Sequence, residues 1–327
     1  MNFNKLFISA GGINGYIFIG ILKYLDENKY LNKINKYFGC SVGSILCFLL
    51  SINYSVEEIE KIFLKLNVDN LLNDFNINLF IKYKCVYNNY KIVNYIKELI
   101  SNKGINNNIT LKEHYEMFNK KICFVVSNIT TNKCEYITHK NYPNLKLWKA
   151  ILMSISIPII FPSVKYNDNF YVDGALYDQL GLYKIKQKYI KDNNMIVITF
   201  INDINKSDAF INDINKSDAF INDINKNKSD AFINDINKNK SDAFINNDEN
   251  DKLYDLIKYI GKCSYTFINE NVNNNKNILL KDYKYFYCYI NYMSNDKISN
   301  YFNLVLSEEK KIEMINNGYN YAISKDI

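Results

Sequence analysis

The sequence predicts an α/β domain in which a sheet is layered against helices, and three observations predict it. Short β-branched and aromatic runs alternate with helical stretches, an order typical of layered α/β domains. Two of the strand-to-helix joints carry glycine clusters. Nearly half of the 327 residues are hydrophobic, enough for a sizeable core. The first strand is Lys5 to Ala10 (KLFISA), followed by the turn Gly11-Gly12-Ile13-Asn14-Gly15 and a helix over Tyr16 to Asn28 with apolar residues at near-helical spacing. Lys36-Tyr37-Phe38 is a second β-like run. It meets Gly39-Cys40-Ser41-Val42-Gly43 and then the proline-free apolar stretch Val42 to Ile52, long enough for a buried helix. Ser55-Val-Glu-Glu58 has the capping-box pattern and opens a helix to about Leu66. Further helices are expected at Asn89 to Ser101 and Leu111 to Phe118. Lys121 to Ile129 reads as a buried strand, Glu135 to His139 as its pairing partner, and Asn194 to Phe200 as another strand.

Residues Ile201 to Phe244 break the pattern. INDINKSDAF occurs twice and INDINKNKSDAF twice, with few apolar residues among Asn, Asp, Lys and Ser. Such a tract buries too little to offset chain ordering, so it is expected to be an insertion between core elements. The expected organisation is a core over residues 1–200, a low-complexity tandem-repeat insertion over 201–244, and a closing part of the same domain over 245–327. That part should hold a helix at about Asp251 to Phe267, a strand at Tyr285 to Tyr292 and a last helix from Ser307.

The glycine clusters carry the chemistry. Gly39-Cys40-Ser41-Val42-Gly43 is a Gly-x-Ser-x-Gly match between a strand and a helix. The flanking glycines, Gly39 and Gly43, permit a sharp turn with Ser41 at its tip. The first cluster, Gly11, Gly12 and Gly15, sits at a helix N-terminus, where free N–H groups and the helix dipole favour negative charge. It lacks the Gly-Lys-Ser/Thr ending of a P-loop and the Gly-x-Gly-x-x-Gly spacing of a dinucleotide turn. Downstream, Val172-Asp173-Gly174-Ala175 places a carboxylate in a glycine turn.

In this combination the chain resembles the patatin-like phospholipases. The resemblance rests on Gly11-Gly12-Ile13-Asn14-Gly15, Gly39-Cys40-Ser41-Val42-Gly43 and Asp173-Gly174-Ala175 in that order. Ala150 to Val164 adds to it with Ser154, Ser156, Pro158 and Pro162. It runs from about Lys5 to Gly181 and is weaker from Asp248 onward. It implies a three-layer patatin-like fold with a central, mainly parallel sheet flanked by helices. It also implies lipid acyl hydrolysis of phospholipase A type through a Ser–Asp dyad, with Ser41 as nucleophile and Asp173 as general base. Gly11, Gly12, Ile13 and Asn14 would form the oxyanion hole, supported by Gly15, Gly39, Gly43 and Gly174. No metal or other cofactor is implied. The chain departs from the family pattern at Ala10, usually glycine, and at Asn14, usually arginine or lysine; it contains no arginine. Tyr177 to Gly181 replaces the usual asparagine pair and proline.

Two alternatives stand beside this reading. One is a catalytically weak or inactive lipid-binding or scaffold protein on the same fold. The other is a Ser-His-Asp esterase, for which only His114 and His139 are available. The seven cysteines form no Cys-x-x-Cys pair, which suits reduced thiols and a cytoplasmic setting. Cys40 reads as a packing residue. No stretch reaches the 18 to 20 apolar residues of a membrane span, and no signal peptide is expected. The net charge of +6, carried by lysine alone, suits peripheral, transient contact with a membrane surface. The lysines form no basic cluster, so nucleic acid is not an expected partner. The expected partner is a phospholipid or other acyl ester.

Overall fold

The computed structural model describes residues 3–72, 85–178, 194–199 and 306–324. The repeat tract and the expected elements at Asp251 to Phe267 and Tyr285 to Tyr292 lie outside the described residues. Within them, β1 (Lys5–Ile8) leads through a 3₁₀ turn (Gly12–Asn14) into α1 (Gly15–Glu27), and β2 (Lys36–Cys40) leads directly into α2 (Val42–Ser51). Then come α3 (Val56–Lys65), α4 (Val68–Leu72), α5 (Tyr90–Ser101), α6 (Leu111–Phe118), β3 (Lys121–Asn128), β4 (Lys133–Thr138) and α7 (Leu147–Ile155). The hairpin β5 (Val164–Tyr166) and β6 (Asn169–Asp173), α8 (Ala175–Asp178), β7 (Met195–Ile198) and α9 (Glu308–Ser324) complete the order. Ser55 caps α3 with the expected reciprocal box to Glu58, and Thr110 caps α6 with Glu113 in the same way.

The strands form one sheet in the order β5-β6-β3-β2-β1-β7, with β4 on the remaining edge of β3. Strands β7, β1, β2 and β3 run parallel, while β4, β5 and β6 attach antiparallel. The parallel strands are buried on both faces, which explains their near-continuous apolar sequences. One face carries the larger core, where Leu6, Ile8, Phe124 and Val126 pack with residues of α1, α2, α7 and α9. The other face buries Phe7, Phe38, Cys40, Cys123, Val125 and Val197.

Helix α9 crosses α1 at close range. A Cβ on Gly20 would fall 1.9 Å from the Ile315 carbonyl oxygen, and one on Gly318 would fall 2.0 Å from that of Ile17. Lys311, also on α9, reaches the end of α3 and donates to the carbonyls of Leu64 (3.1 Å) and Leu66 (2.7 Å). A lysine there satisfies carbonyls left bare by the helix terminus and complements its dipole.

Candidate active site

Ser41 sits between the last residue of β2 and the first of α2, with φ 54° and ψ −127°. A non-glycine residue there carries strain of about 1–3 kcal/mol and persists only where its surroundings hold it. The surroundings are explicit. The Ser41 N–H donates to Ser154 Oγ (3.3 Å), which donates to the Val125 carbonyl (2.6 Å) and lies 2.7 Å from Ser44 Oγ. Since Ser154 has one hydroxyl proton, spent on Val125, Ser44 is the donor in that contact. The turn admits no side chain on either flank. A Cβ on Gly39 would stand 2.5 Å from Ser44 Cα, and one on Gly43 would stand 2.1 Å from the Ile8 carbonyl oxygen.

The sheet register brings Asp173 to the same place. Strand β2 pairs with β3 only as far as Cys40 opposite Val125. From Val126 onward β6 pairs with β3, beginning with Asp173. Because β4 occupies the other edge of β3 over Cys123 to Asn128, β6 takes up the edge that β2 leaves. The two strands run toward each other and stop at adjacent positions, so the residue after Cys40 meets the last residue of β6. Asp173 is buried, with Oδ1 accepting the Ala175 N–H (2.8 Å). Oδ2 has no hydrogen-bond partner. Burial pushes the Asp173 pKa up to about 6, and the Ser41 hydroxyl and the Ala175 N–H pull against that rise.

The glycine loop abuts the elbow. A Cβ on Gly15 would stand 2.5 Å from Val42 Cγ2, the side chain next to Ser41. The loop closes with the Asn14 N–H on the Gly11 carbonyl (2.9 Å) and the Gly15 N–H on that of Gly12. Asn14 therefore has only its side chain to offer a ligand. The N–H groups of Gly11, Gly12 and Ile13 have no partner among the described residues and lie at partly or fully exposed positions.

A sequence profile described as patatin-like phospholipase matches residues 6–183, more than half of the chain. The chain belongs to that family. It is 33% identical over 209 residues to "Probable lipid hydrolase 463L" of Invertebrate iridescent virus 6, a match covering 60% of this chain and 70% of the viral protein. It is 27% identical over 172 residues to "Triacylglycerol lipase 5" of Saccharomyces cerevisiae, covering 48% of this chain and 22% of the yeast protein. Among solved structures, VipD from Legionella pneumophila shares the fold with a TM-score of 0.50 at 12% identity, covering 99% of this chain and 66% of that one.

In this patatin-like chain neither histidine accompanies Ser41. His114, on α6, bonds through Nε2 to Ser51 Oγ (2.9 Å). Ser51 ends α2, so that pair lies about 14 Å along the helix from the elbow. His139 follows Thr138, which pairs with Cys123, two residues before the Val125 position, and its ring stacks on Tyr115 at 4.0 Å. The Cys40 thiol is fully buried, with its pKa pushed well up by burial and by the nearby carboxylates, as befits a packing residue. Two supports were not legible in the sequence. Ser154 shares its segment with Ser156, and nothing local says which reaches the elbow; Ser156 instead bonds back to the Leu152 carbonyl (2.7 Å). Asp178, buried beyond Asp173, accepts the Tyr136 hydroxyl (2.6 Å), a pairing across 42 residues.

Proposed function

We propose that the protein hydrolyses lipid acyl esters, as a phospholipase A, through Ser41 and Asp173. The observation that carries this reading is the meeting of a strained serine with a buried carboxylate whose Oδ2 is unpartnered and whose pKa sits near 6. A carboxylate in water is too weak a base for a serine hydroxyl; burial raises its basicity toward the operating pH. Ser41 Oγ attacks the ester carbonyl carbon and passes its proton to Asp173 Oδ2. The carbonyl oxygen becomes an oxyanion facing the N–H groups of Gly11, Gly12 and Ile13, with the Asn14 amide as a further donor. Collapse expels the alcohol, which takes the proton from Asp173 and leaves an acyl-serine. Water deprotonated by Asp173 then releases the fatty acid and restores Ser41.

Membership in a family of lipid hydrolases supports an ester lipid as substrate. The test is labelling by a fluorophosphonate together with hydrolysis of a panel of phospholipids, glycerides and nitrophenyl esters. Labelling of the native protein, and none of Ser41→Ala, is expected. A protein that neither labels nor releases fatty acid is the non-catalytic lipid-binding alternative.

A further inference from the structure

Between α7 and β5 the chain runs Ile157-Pro158-Ile159-Ile160-Phe161-Pro162, six apolar residues in succession, and none of them is buried. Ile157 is 40% exposed. The segment begins beside the candidate site, since the preceding residue, Ser156, accepts the Asp173 N–H on its carbonyl (2.9 Å). An uncharged surface run of this length next to a site is uncommon in chains that meet only water.

Its main chain is already folded. The Phe161 N–H returns to the Ile157 carbonyl (2.9 Å), and the carbonyls of Ile159 and Ile160 accept the N–H groups of Val86 (2.8 Å) and Tyr87 (3.0 Å). Pro158 and Pro162 have no N–H to leave bare. Ile159 is held at φ 73°, a conformation rarely adopted by β-branched residues and sustained here by the bridge to Cys85. The loop therefore presents apolar side chains on a backbone in which the N–H groups of Ile157 and Phe161 and the carbonyls of Ile157, Ile159 and Ile160 are bonded within the protein. Each of these bonds lowers the cost of entering a membrane interface, because bare N–H and C=O groups are expensive away from water. A prefolded loop also loses little conformational entropy on docking.

The hairpin that the loop enters carries further exposed apolar side chains. Phe170, 42% exposed, lies three residues before Asp173 on β6, about 10 Å along the strand. It neighbours Ile129, 41% exposed, whose N–H bonds its carbonyl (3.0 Å). Lys165, on the strand the loop enters, holds its ammonium over the Phe170 ring at 5.9 Å. A lysine at the edge of an apolar patch matches the phosphate level of a bilayer.

We infer that Ile157–Pro162, with Ile129 and Phe170 beside it, docks the protein on a phospholipid bilayer by inserting into the interface next to the site. The inference builds on the hydrolase reading, but its test does not need turnover. The Ser41→Ala protein, full length, is mixed with phosphatidylcholine vesicles containing phosphatidylserine, and the bound fraction is read by sedimentation. It is expected to bind. Adding Ile157→Asp is expected to lower the partition coefficient at least tenfold. Adding Ile312→Asp, on a similarly exposed isoleucine of α9, is expected to leave it within twofold. Thermal melting checks that each variant is folded. Should Ile157→Asp fail to fold, Ile157→Trp reports instead, read against its parent, which already carries Trp148. Adding vesicles should shift its emission to the blue, and brominated lipid should quench it beyond the parent's signal. A folded Ile157→Asp protein that binds as its parent does, equal losses from both isoleucines, or Ile157→Trp emission quenched no more than the parent's overturns the inference. Hydrolysis of a soluble ester by the native protein without vesicle binding removes the docking surface alone. Loop-dependent binding with no hydrolysis of any ester removes the hydrolase reading alone.

Discussion

The two ends of α2 each place a buried serine against a titratable side chain, and they are built differently. At the C-terminal end Ser51 meets His114 at 2.9 Å, which on proximity alone is the more familiar nucleophile–base pair. There Ser51 donates its only proton to the Phe48 carbonyl (2.7 Å), and both residues are wholly buried. Burial and the nearby Lys120 push the His114 pKa down to about 4. At the N-terminal end Ser41 is strained, Asp173 keeps an unpartnered oxygen, and N–H groups with no partner among the described residues lie alongside. His114 Nδ1 is unpartnered as well, so an unspent acceptor is common to both ends; what sets the second end apart is its strained serine and a place for developing charge.

Matched substitutions at the two ends sharpen this contrast. Ser41→Ala is expected to reduce ester hydrolysis by more than about 10³, whereas Ser51→Ala should stay within about threefold. Residual turnover above a few per cent in the first variant, measured on a nitrophenyl ester, breaks the comparison. Asp173→Asn should lower turnover by about 10² to 10⁴, the range for loss of a general base. The native rate should rise with pH through about 6, where Asp173 loses its proton. A profile that survives His114→Gln unchanged separates this titration from the histidine's.

Stability should respond with opposite signs at the two ends. The folded pKa of Asp173 lies above its unfolded value, so its contribution is fully present below about pH 4 and is lost as pH rises through about 6. Asp173→Asn should therefore stabilise by up to about 3 kcal/mol at pH 7 to 8 and add little at pH 4. The folded pKa of His114 lies below its unfolded value, so stability is lost as pH falls from about 6.5 toward 4. His114→Gln should remove up to about 3 kcal/mol of that acid loss. Denaturant melts at four or five pH values test both slopes.

A smaller loss of turnover than at Ser41 or Asp173 is expected of Ser154→Ala, which touches no substrate. It leaves the Ser41 N–H and the Ser44 hydroxyl without their shared acceptor. A loss of about 1–3 kcal/mol in stability is expected, with roughly a tenfold fall in turnover as the strained elbow relaxes. Ser154→Thr, which keeps the hydroxyl, should recover part of the rate. Equal turnover in Ser154→Ala and the native protein would mean that the elbow is held by Gly39 and Gly43 alone.

What the sequence by itself determined is local. The joints at Gly11–Gly15 and Gly39–Gly43, the helices they open, the Ser55 cap and the strand at Lys121–Asn128 are set by residues within a few positions of one another, so backbone sterics and periodicity expose them. The ends moved by a residue or two, as with β1, which stops at Ile8 rather than Ala10, and β4, which begins at Lys133 rather than Glu135. Tertiary structure alone decided that β6 takes over the edge of β3 where β2 ends. The five residues Asn169–Asp173 are too short to announce a strand, and their register depends on a partner more than 40 residues away. The same holds for the seating of α9 on α1 through Gly20 and Gly318, for Ser154 as the brace of the elbow, and for the Asp173 pKa. A carboxylate's basicity follows from what surrounds it, and that shell is assembled only when distant segments pack.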